Sequence, residues 1–497
     1  MAHRDRRFLY LAAQVRELDR RAIADQAGGG FELMQRAARA AFAVLRRRWP
    51  QARRLSVLCG AGNNGGDGYV IAALAAAERL DVQLIALRDP AELGGDAARA
   101  FEMARLAGVE AIPWRADLVP SGEVIVDALL GTGLAAKDTV REPFAAAIEA
   151  INASALPVLA VDVPSGLSAD AGAVLGVAVE ANVTVTFIAD KLGLHTGAAA
   201  DHVGELIMEP LGIEAARHDD LAPVAELLDG GIVAATLPPR RRGSHKGDFG
   251  HVLVIGGAPG LGGAALLASQ AAARLGAGKI SLATAPEHVC ASLMRTPEVM
   301  ARGVQGVPDV VPLLESADVI VVGPGLGQGA WGQGLLQAAM AAGKPLVIDA
   351  DGLNLLAAHW GEECRDDWLL TPHPGEAARL LRCGGAEVQA DRLAAIRELR
   401  QRRGGVMVLK GAGSLIAGPR GVGVCPYGNP GMASGGVGDV LSGMLGAFVA
   451  QGLELETAAR LGVVLHAKAA DAAARQAGER GLLAGDLACY ARSLANP

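Results

Sequence analysis

Aromatic side chains are scarce in this chain: Trp, Tyr and Phe make up 3% of 497 residues, against 66 glycines and a 51% hydrophobic fraction. A core so short of large rings has to pack on small aliphatic residues, which suits an α/β protein whose helices lie close to its sheets. Cysteine is thin as well. The six residues Cys59, Cys290, Cys364, Cys383, Cys425 and Cys489 contain no C-x-x-C pair, which argues against zinc and a disulfide framework and suits a reducing cytoplasm. Positive charge is not in excess: 46 Lys and Arg face 53 Asp and Glu, for a formal net charge of −7, so no general field draws nucleic acid. No apolar run reaches the length of a membrane span. The start Arg6-Arg7-Phe8-Leu9-Tyr10 has a twin-arginine look, but Arg16, Glu17, Asp19, Arg20 and Arg21 break the apolar core that a signal needs. A Walker A loop is missing too: Gly276-Ala277-Gly278-Lys279 imitates its end, but Ile280 follows where Ser or Thr is required and Ala273 stands where the first Gly should be. The expectation is a cytoplasmic protein with neither nucleic acid nor membrane as a partner.

What is present is a repeated α/β pattern. The length calls for two or three domains. In the first half, residues 55–59, 82–87, 124–126, 158–161 and 183–188 read as strands buried on both faces, with helical stretches such as 69–80 and 143–151 between them. Such alternation predicts a parallel, doubly wound sheet, in which ligands bind beyond the carboxyl ends of the strands. Residues 213–245 lose this periodicity, with Asp229-Gly230-Gly231 and Pro238-Pro239 marking a boundary. The pattern restarts with strands predicted over 251–255, 280–283, 319–322, 346–349, 369–371 and 406–410, and helices over 264–275 and 334–342. The halves share no motif, so they read as two different domains, 1–224 and 225–497.

The densest chemistry lies in Asn429-Pro430-Gly431-Met432-Ala433-Ser434-Gly435-Gly436-Val437-Gly438-Asp439, which runs into an apolar helical segment. Glycines there let the backbone turn sharply and approach a ligand. Amides at a helix N-terminus favour an anion such as a transferring phosphoryl group, and Asp439 is placed to take a proton from an attacking hydroxyl. In the first half, Gly60-Ala61-Gly62-Asn63-Asn64-Gly65-Gly66-Asp67-Gly68 contains a G-x-G-x-x-G after a strand. Taken alone this is weak evidence for a dinucleotide site, but two asparagines and an aspartate add amide and carboxylate oxygens able to face a cation. Further turns at strand ends are Asp127 to Leu134 and Asp162-Val163-Pro164-Ser165-Gly166.

These three turns together resemble the epimerase domain of the NAD(P)H-hydrate repair enzymes over about residues 8–212. The resemblance implies that Asn63, Asn64, Gly65, Gly66, Asp67, Gly131, Thr132, Gly133, Leu134, Ala135, Ala136, Lys137 and Asp162 contact the hydrated nucleotide. It also implies that Asn64, Asp127 and Ser165 hold K+, a hard cation suited to oxygen ligands. Asp162 is the candidate for acid/base assistance. Lys191, also beyond a strand end, reads equally well as lining the crevice or as a surface lysine. The stretch Leu33-Met34-Gln35-Arg36-Ala37-Ala38 departs from the family pattern in having Ala38 where Gly is usual.

In the second half, Gly323-Pro324-Gly325-Leu326-Gly327, Asp349-Ala350-Asp351-Gly352-Leu353-Asn354, Thr371-Pro372-His373-Pro374-Gly375-Glu376 and Lys410-Gly411-Ala412-Gly413-Ser414 also fall at strand ends. With the Asp439 turn they resemble the ribokinase-like superfamily and, within it, the ADP-dependent NAD(P)H-hydrate dehydratases, over about 225–495. The implied fold class is α/β with two doubly wound domains, the first Rossmann-like of the YjeF N-terminal type and the second ribokinase-like. Lys410, Gly411, Ala412, Gly413, Ser414 and Gly438 are implied to bind the adenine nucleotide, and Ala265, Gly327, His373 and Asp439 the hydrated substrate, with Mg2+ bridging the nucleotide phosphates. The family reaction phosphorylates the ring hydroxyl with ADP and then eliminates phosphate to restore NAD(P)H. A homo-oligomer, with tetramers among its forms, is a further implication. The alternative is a ribokinase-like small-molecule kinase fused to a nucleotide-binding module, which would keep the Asp439 base but end on a stable phosphate ester.

Overall fold

A computed structural model describes residues 7–25, 29–134, 138–215 and 220–496. The chain divides into two compact units, Met1–Glu226 and Leu227–Pro497. The first is built on a parallel sheet of seven strands. From one edge to the other they are Ala111–Pro113, Asp81–Ala86, Arg54–Cys59, Val124–Ala128, Val158–Val161, Val183–Phe187 and Glu205–Glu209.

Successive strand residues point to opposite faces, and both faces are covered. Leu55, Val57, Val124, Val126, Leu159 and Val161 join one core with Leu33, Phe42 and Tyr69. Leu58, Ile125, Val158 and Ala160 join another with Ile148 and Ile151 of the helix Phe144–Ala153. This is why the central strands read as unbroken apolar runs. The outer strands Ala111–Pro113 and Glu205–Glu209 are short or half-polar, and the sequence pattern does not reveal them.

One difference from the sequence reading bears on the site. Residues 60–68 are not an open turn: the helix Asn63–Ala77 begins inside the motif, so Asn64 and Asp67 stand on its first turns. Gly65 permits this, since a Cβ there would lie 2.0 Å from the carbonyl oxygen of Gly60.

Among the described residues, the run of strands contributed by the second unit is Met300–Gly303, Lys279–Thr284, His251–Ile255, Val319–Val322, Leu346–Ile348, Trp368–Leu370, Val406–Leu409, Ser414–Gly418 and Gly421–Cys425, in that order. The first seven are parallel. The last two form an antiparallel hairpin on Val406–Leu409, which the sequence reading, with its strand ending at residue 410, does not anticipate. Glycines at 413, 418, 421 and 423 give that stretch a loop-like composition.

The helices Gly262–Arg274 and Val437–Ala450 pack without space for a side chain at Gly443, where a Cβ would stand 2.0 Å from the carbonyl oxygen of Ala268. Overpacking of this kind costs about 1–3 kcal/mol. Gly443→Ala is therefore expected to lower the melting transition of the second unit, measured by calorimetry, while leaving that of the first unit in place.

Candidate active sites

In the first unit, the ends of the strands Arg54–Cys59, Val124–Ala128 and Val158–Val161 deliver Asn64, Asp127 and Asp162. Asp127 is fully buried. Its Oδ1 accepts from the Ser165 hydroxyl at 2.6 Å and the Leu129 amide at 3.2 Å, and its Oδ2 accepts from the Ser165 amide at 2.8 Å. Burial pushes this carboxyl up to about 6 against the pull of those bonds. Asn64 lies against Gly131, where a Cβ would be 3.3 Å from the Asn64 Cβ. Among the described residues, both polar atoms of the Asn64 amide are buried without a partner, and so is Oδ1 of Asp67. A buried polar group left unpaired costs free energy unless a ligand or ion meets it. The Leu130 amide, next along the chain from Gly131, donates to the Ser165 hydroxyl at 2.9 Å, and the amide, carboxylate and hydroxyl oxygens of Asn64, Asp127 and Ser165 are of the type that fits a hard monovalent cation.

Asp162 has a left-handed backbone, φ 67°, rare for a non-glycine residue and frequent at working sites. Its Oδ1 receives the ammonium of Lys191 at 2.7 Å and the hydroxyl of Thr186 at 3.2 Å. Burial, then the charges of Asp162 and Asp19, hold the Asp67 carboxyl well above the usual range. Asp19, on the helix Ala12–Asp25, is raised by burial and by Asp162, with Lys191 opposing. The Thr132 carbonyl accepts from Arg16 at 2.6 Å. Gly133 and Leu134 follow on the same loop, while Ala135, Ala136 and Lys137 lie outside the described residues. Asp19 carries no motif that would single it out in the sequence, and Lys191 is distinguished only by its place beyond a strand.

In the second unit, Asp439 sits in the first turn of Val437–Ala450, behind Gly436 with φ 91°. Lys410, at the end of Val406–Leu409, binds Asp349 Oδ1 at 2.7 Å and stands 3.8 Å from Glu376 Oε2. The Ser442 hydroxyl donates to Asp349 Oδ2 at 2.5 Å. Burial and the neighbouring Asp349 push the Asp439 carboxyl up to about 7, with Lys410 opposing. Burial also takes Glu376 to about 7. Burial raises Asp349, but Lys410 and its hydrogen-bond donors prevail and hold it below the usual carboxylate range. The cluster therefore contains one firmly charged carboxylate and two poised near neutrality, the arrangement that separates acid and base roles.

Gly438 closes on this cluster, since a Cβ there would be 3.2 Å from the Lys410 ammonium. The Gly327 amide donates to Asp351 Oδ2 at 2.9 Å, which ties that turn to the helix Asp351–His359. Between Asp349 and Asp351, Ala350 has a φ of 48°. His373 caps the helix Pro374–Leu381: its Nδ1 accepts from the Gly375 amide at 2.9 Å, and burial followed by the charge of Lys410 lowers its pKa. Ala265 is fully buried, packed behind Gly256 and Gly257.

The loop of Lys410, Gly411, Ala412, Gly413 and Ser414 is braced within by the Ser414 hydroxyl on the Gly411 carbonyl, 2.9 Å. From below, Arg392 donates to the Leu409 and Lys410 carbonyls at 3.3 Å each. His466, pushed down to about 4 by burial, keeps a neutral ring whose Nε2–H meets the Val437 carbonyl at 3.0 Å. Arg392 and His466 belong to no motif. Asp349 and Glu376 do, and their position after strands is the signal that marks them.

Among the described residues there is no group of three His, Cys, Asp or Glu side chains able to hold a metal ion, and no helix long and apolar enough to cross a membrane. A family model described as NAD(P)H-hydrate dehydratase matches residues 252–493, and one for the YjeF-related protein N-terminus matches 30–193. The bifunctional NAD(P)H-hydrate repair enzyme of Coxiella burnetii is 48% identical over 490 residues, which cover 98% of this chain and 99% of that protein. The enzyme of the same name from Escherichia coli is 44% identical over 468 residues, 94% of this chain and 90% of that one. Among solved structures, a hypothetical protein of Streptococcus mutans superposes with a TM-score of 0.50 at 29% identity, covering 54% of this chain and all of its own. Alignment at such identity along nearly the whole length places this chain in the family of bifunctional NAD(P)H-hydrate repair enzymes.

Proposed function

We propose that the chain repairs hydrated nicotinamide cofactors in two steps: residues 1–224 interconvert the R and S forms of NAD(P)HX, and residues 225–497 dehydrate the S form at the expense of ADP, releasing AMP and phosphate. The observation that carries this reading is the pairing, on one chain of that family, of a phosphoryl-transfer turn at Asp439 with a second loaded crevice at Asp162. Hydroxide is a poor leaving group and phosphate a good one. Asp439 takes the proton of the ring hydroxyl as its oxygen attacks the terminal phosphorus of ADP and AMP departs, and the amides at 435–438 stabilise the transferring group. The ring nitrogen then expels phosphate and a proton leaves the adjacent carbon, restoring the double bond. Lys410, Gly411, Ala412, Gly413, Ser414 and Gly438 cradle the nucleotide, and Gly327, His373 and the wall behind which Ala265 packs receive the nicotinamide end.

The donors fit the two ions differently. Mg2+ would enter with the nucleotide and offset charge on its phosphates. K+ would be held by Asn64, Asp127 and Ser165, offsetting the buried Asp127 charge. Six free cysteines suit a reducing cytoplasm, where we place the protein, as a homo-oligomer whose order, a tetramer among the options, light scattering would establish.

Incubating the protein with NADHX and ADP should restore absorbance of NADH; formation of a stable phosphate ester would instead favour a kinase fused to a binding module. Asn64→Ala and Asp127→Ala should each raise the K+ concentration needed for R/S interconversion by about tenfold or more, the loss of a metal-ligand interaction. ADP-dependent dehydration of the S form should continue in both variants. Chiral chromatography over a K+ titration reads this out, and a joint fall of both activities in folded protein would refute two separate sites.

A further inference from the structure

The geometry assigns Lys191 as a positioning residue for epimerisation: we infer that it clamps one oxygen of Asp162 and so leaves the other, Oδ2, as the atom that handles the proton. This rests on the epimerase reading of the first unit and deepens it. All three hydrogen bonds to the Asp162 side chain fall on Oδ1, from Lys191 at 2.7 Å, Thr186 at 3.2 Å and the Phe187 amide at 3.4 Å. Oδ2 has no partner among the described residues, and the side chain is 18% exposed while Lys191 is 1% exposed.

The ammonium makes two further bonds, to the Thr186 hydroxyl at 2.7 Å and the Phe187 carbonyl at 3.3 Å. Its three protons thus have three acceptors, and Thr186 passes the restraint on by donating in turn to Asp162. Lys191 itself is held in strand pairing, Tyr10 opposite Lys191. A buried lysine is costly unless fully paired, and an exposed surface lysine, the other reading of this position, is excluded by its burial. The left-handed backbone at Asp162 points the same way, because strain is retained where the surroundings overdetermine a working conformation.

The chemistry makes use of a carboxylate with one free oxygen. Water added across the enamine double bond of a reduced nicotinamide places the hydroxyl on the carbon beside the ring nitrogen. Inversion at that carbon can proceed by opening the ring. Oδ2 takes the hydroxyl proton, the carbon–nitrogen bond breaks with its electron pair going to nitrogen as the carbonyl forms, and Oδ2 returns the proton to nitrogen. Rotation of the aldehyde and reversal of these steps give the other epimer, with no net proton, electron or atom consumed. One shuttling oxygen suffices, and its aim decides the rate.

The test uses the full chain without ADP, following interconversion of purified R- and S-NADHX by chiral chromatography. Lys191→Met is expected to lower kcat by about a hundredfold, the scale of a misaimed catalytic group, with KM changed less than about threefold because the lysine does not touch substrate. Lys191→Arg, which keeps the charge, should recover at least about tenfold of that loss. Dehydration of the S form with ADP, measured on the same preparations, should be unchanged. If Lys191→Met fails to fold, Thr186→Val keeps the ammonium and removes the relay, and kcat should fall about tenfold at constant KM. Wild-type kcat in either variant, or an equal loss in the Met and Arg variants, would overturn the assignment. A wild-type protein that leaves the epimers at their spontaneous rate would overturn the epimerase reading itself.

Discussion

Asp439→Asn is expected to cut ADP-dependent dehydration by about a hundredfold or more, the contribution of a general base, and to leave R/S interconversion untouched. Asn keeps the shape and the place at the helix start but cannot take the hydroxyl proton. The environment also dictates a pH dependence. Burial and the charge of Asp349 hold the Asp439 carboxyl up at about 7. Its basic form is therefore scarce at pH 6 and dominant at pH 8, so kcat/KM for the S hydrate should rise with pH through about 7 and level off above it. The Asn variant should lose that limb. Absorbance of restored NADH across a pH series measures both effects, and near-normal dehydration by the variant would remove Asp439 from the role of base.

Expressed apart, residues 1–224 and 225–497 are each expected to fold and to keep one activity. Each half has its own set of parallel strands, its own covered faces and its own loaded strand ends, which is what an independent domain requires. The C-terminal piece should clear S-NADHX with ADP and leave the R form to its spontaneous rate. Adding the N-terminal piece, which needs no nucleotide, should bring the R form into the reaction. Equal clearance of both epimers by the C-terminal piece alone would leave the first half without the purpose argued for it.

Much of this chemistry is legible in the order of the amino acids. Phosphoryl-transfer and dinucleotide turns are local devices: glycines that let the backbone approach a ligand, then a carboxylate or amide within a few residues, so their chemistry is written in contiguous sequence. Buried parallel strands announce themselves as apolar runs because both faces are covered, as Leu55, Val57 and Leu58 illustrate. Residues 7–25 and the hairpin of residues 414–425 carry no comparable signal, the one interrupted by charge and the other diluted by glycine.

The two α/β halves, the set of loaded strand ends and the candidate base in each follow from the chain's residues alone. The charged pairs that surround those bases do not; they come from the folding of the sheets. Lys410 and Asp349 meet across 61 positions and Lys191 and Asp162 across 29, because strand order and register bring separate strand ends together. The balance of burial against neighbouring charge then settles which carboxyls stay charged: Asp349 is held down by its lysine against burial, while burial pushes Asp439 and Glu376, within the field of the same ammonium, up to about 7. Motifs name the residue types a reaction needs. Proton affinity and the aim of an oxygen depend on the dielectric and on neighbours distant in the chain, and those exist only once the strands are paired and covered.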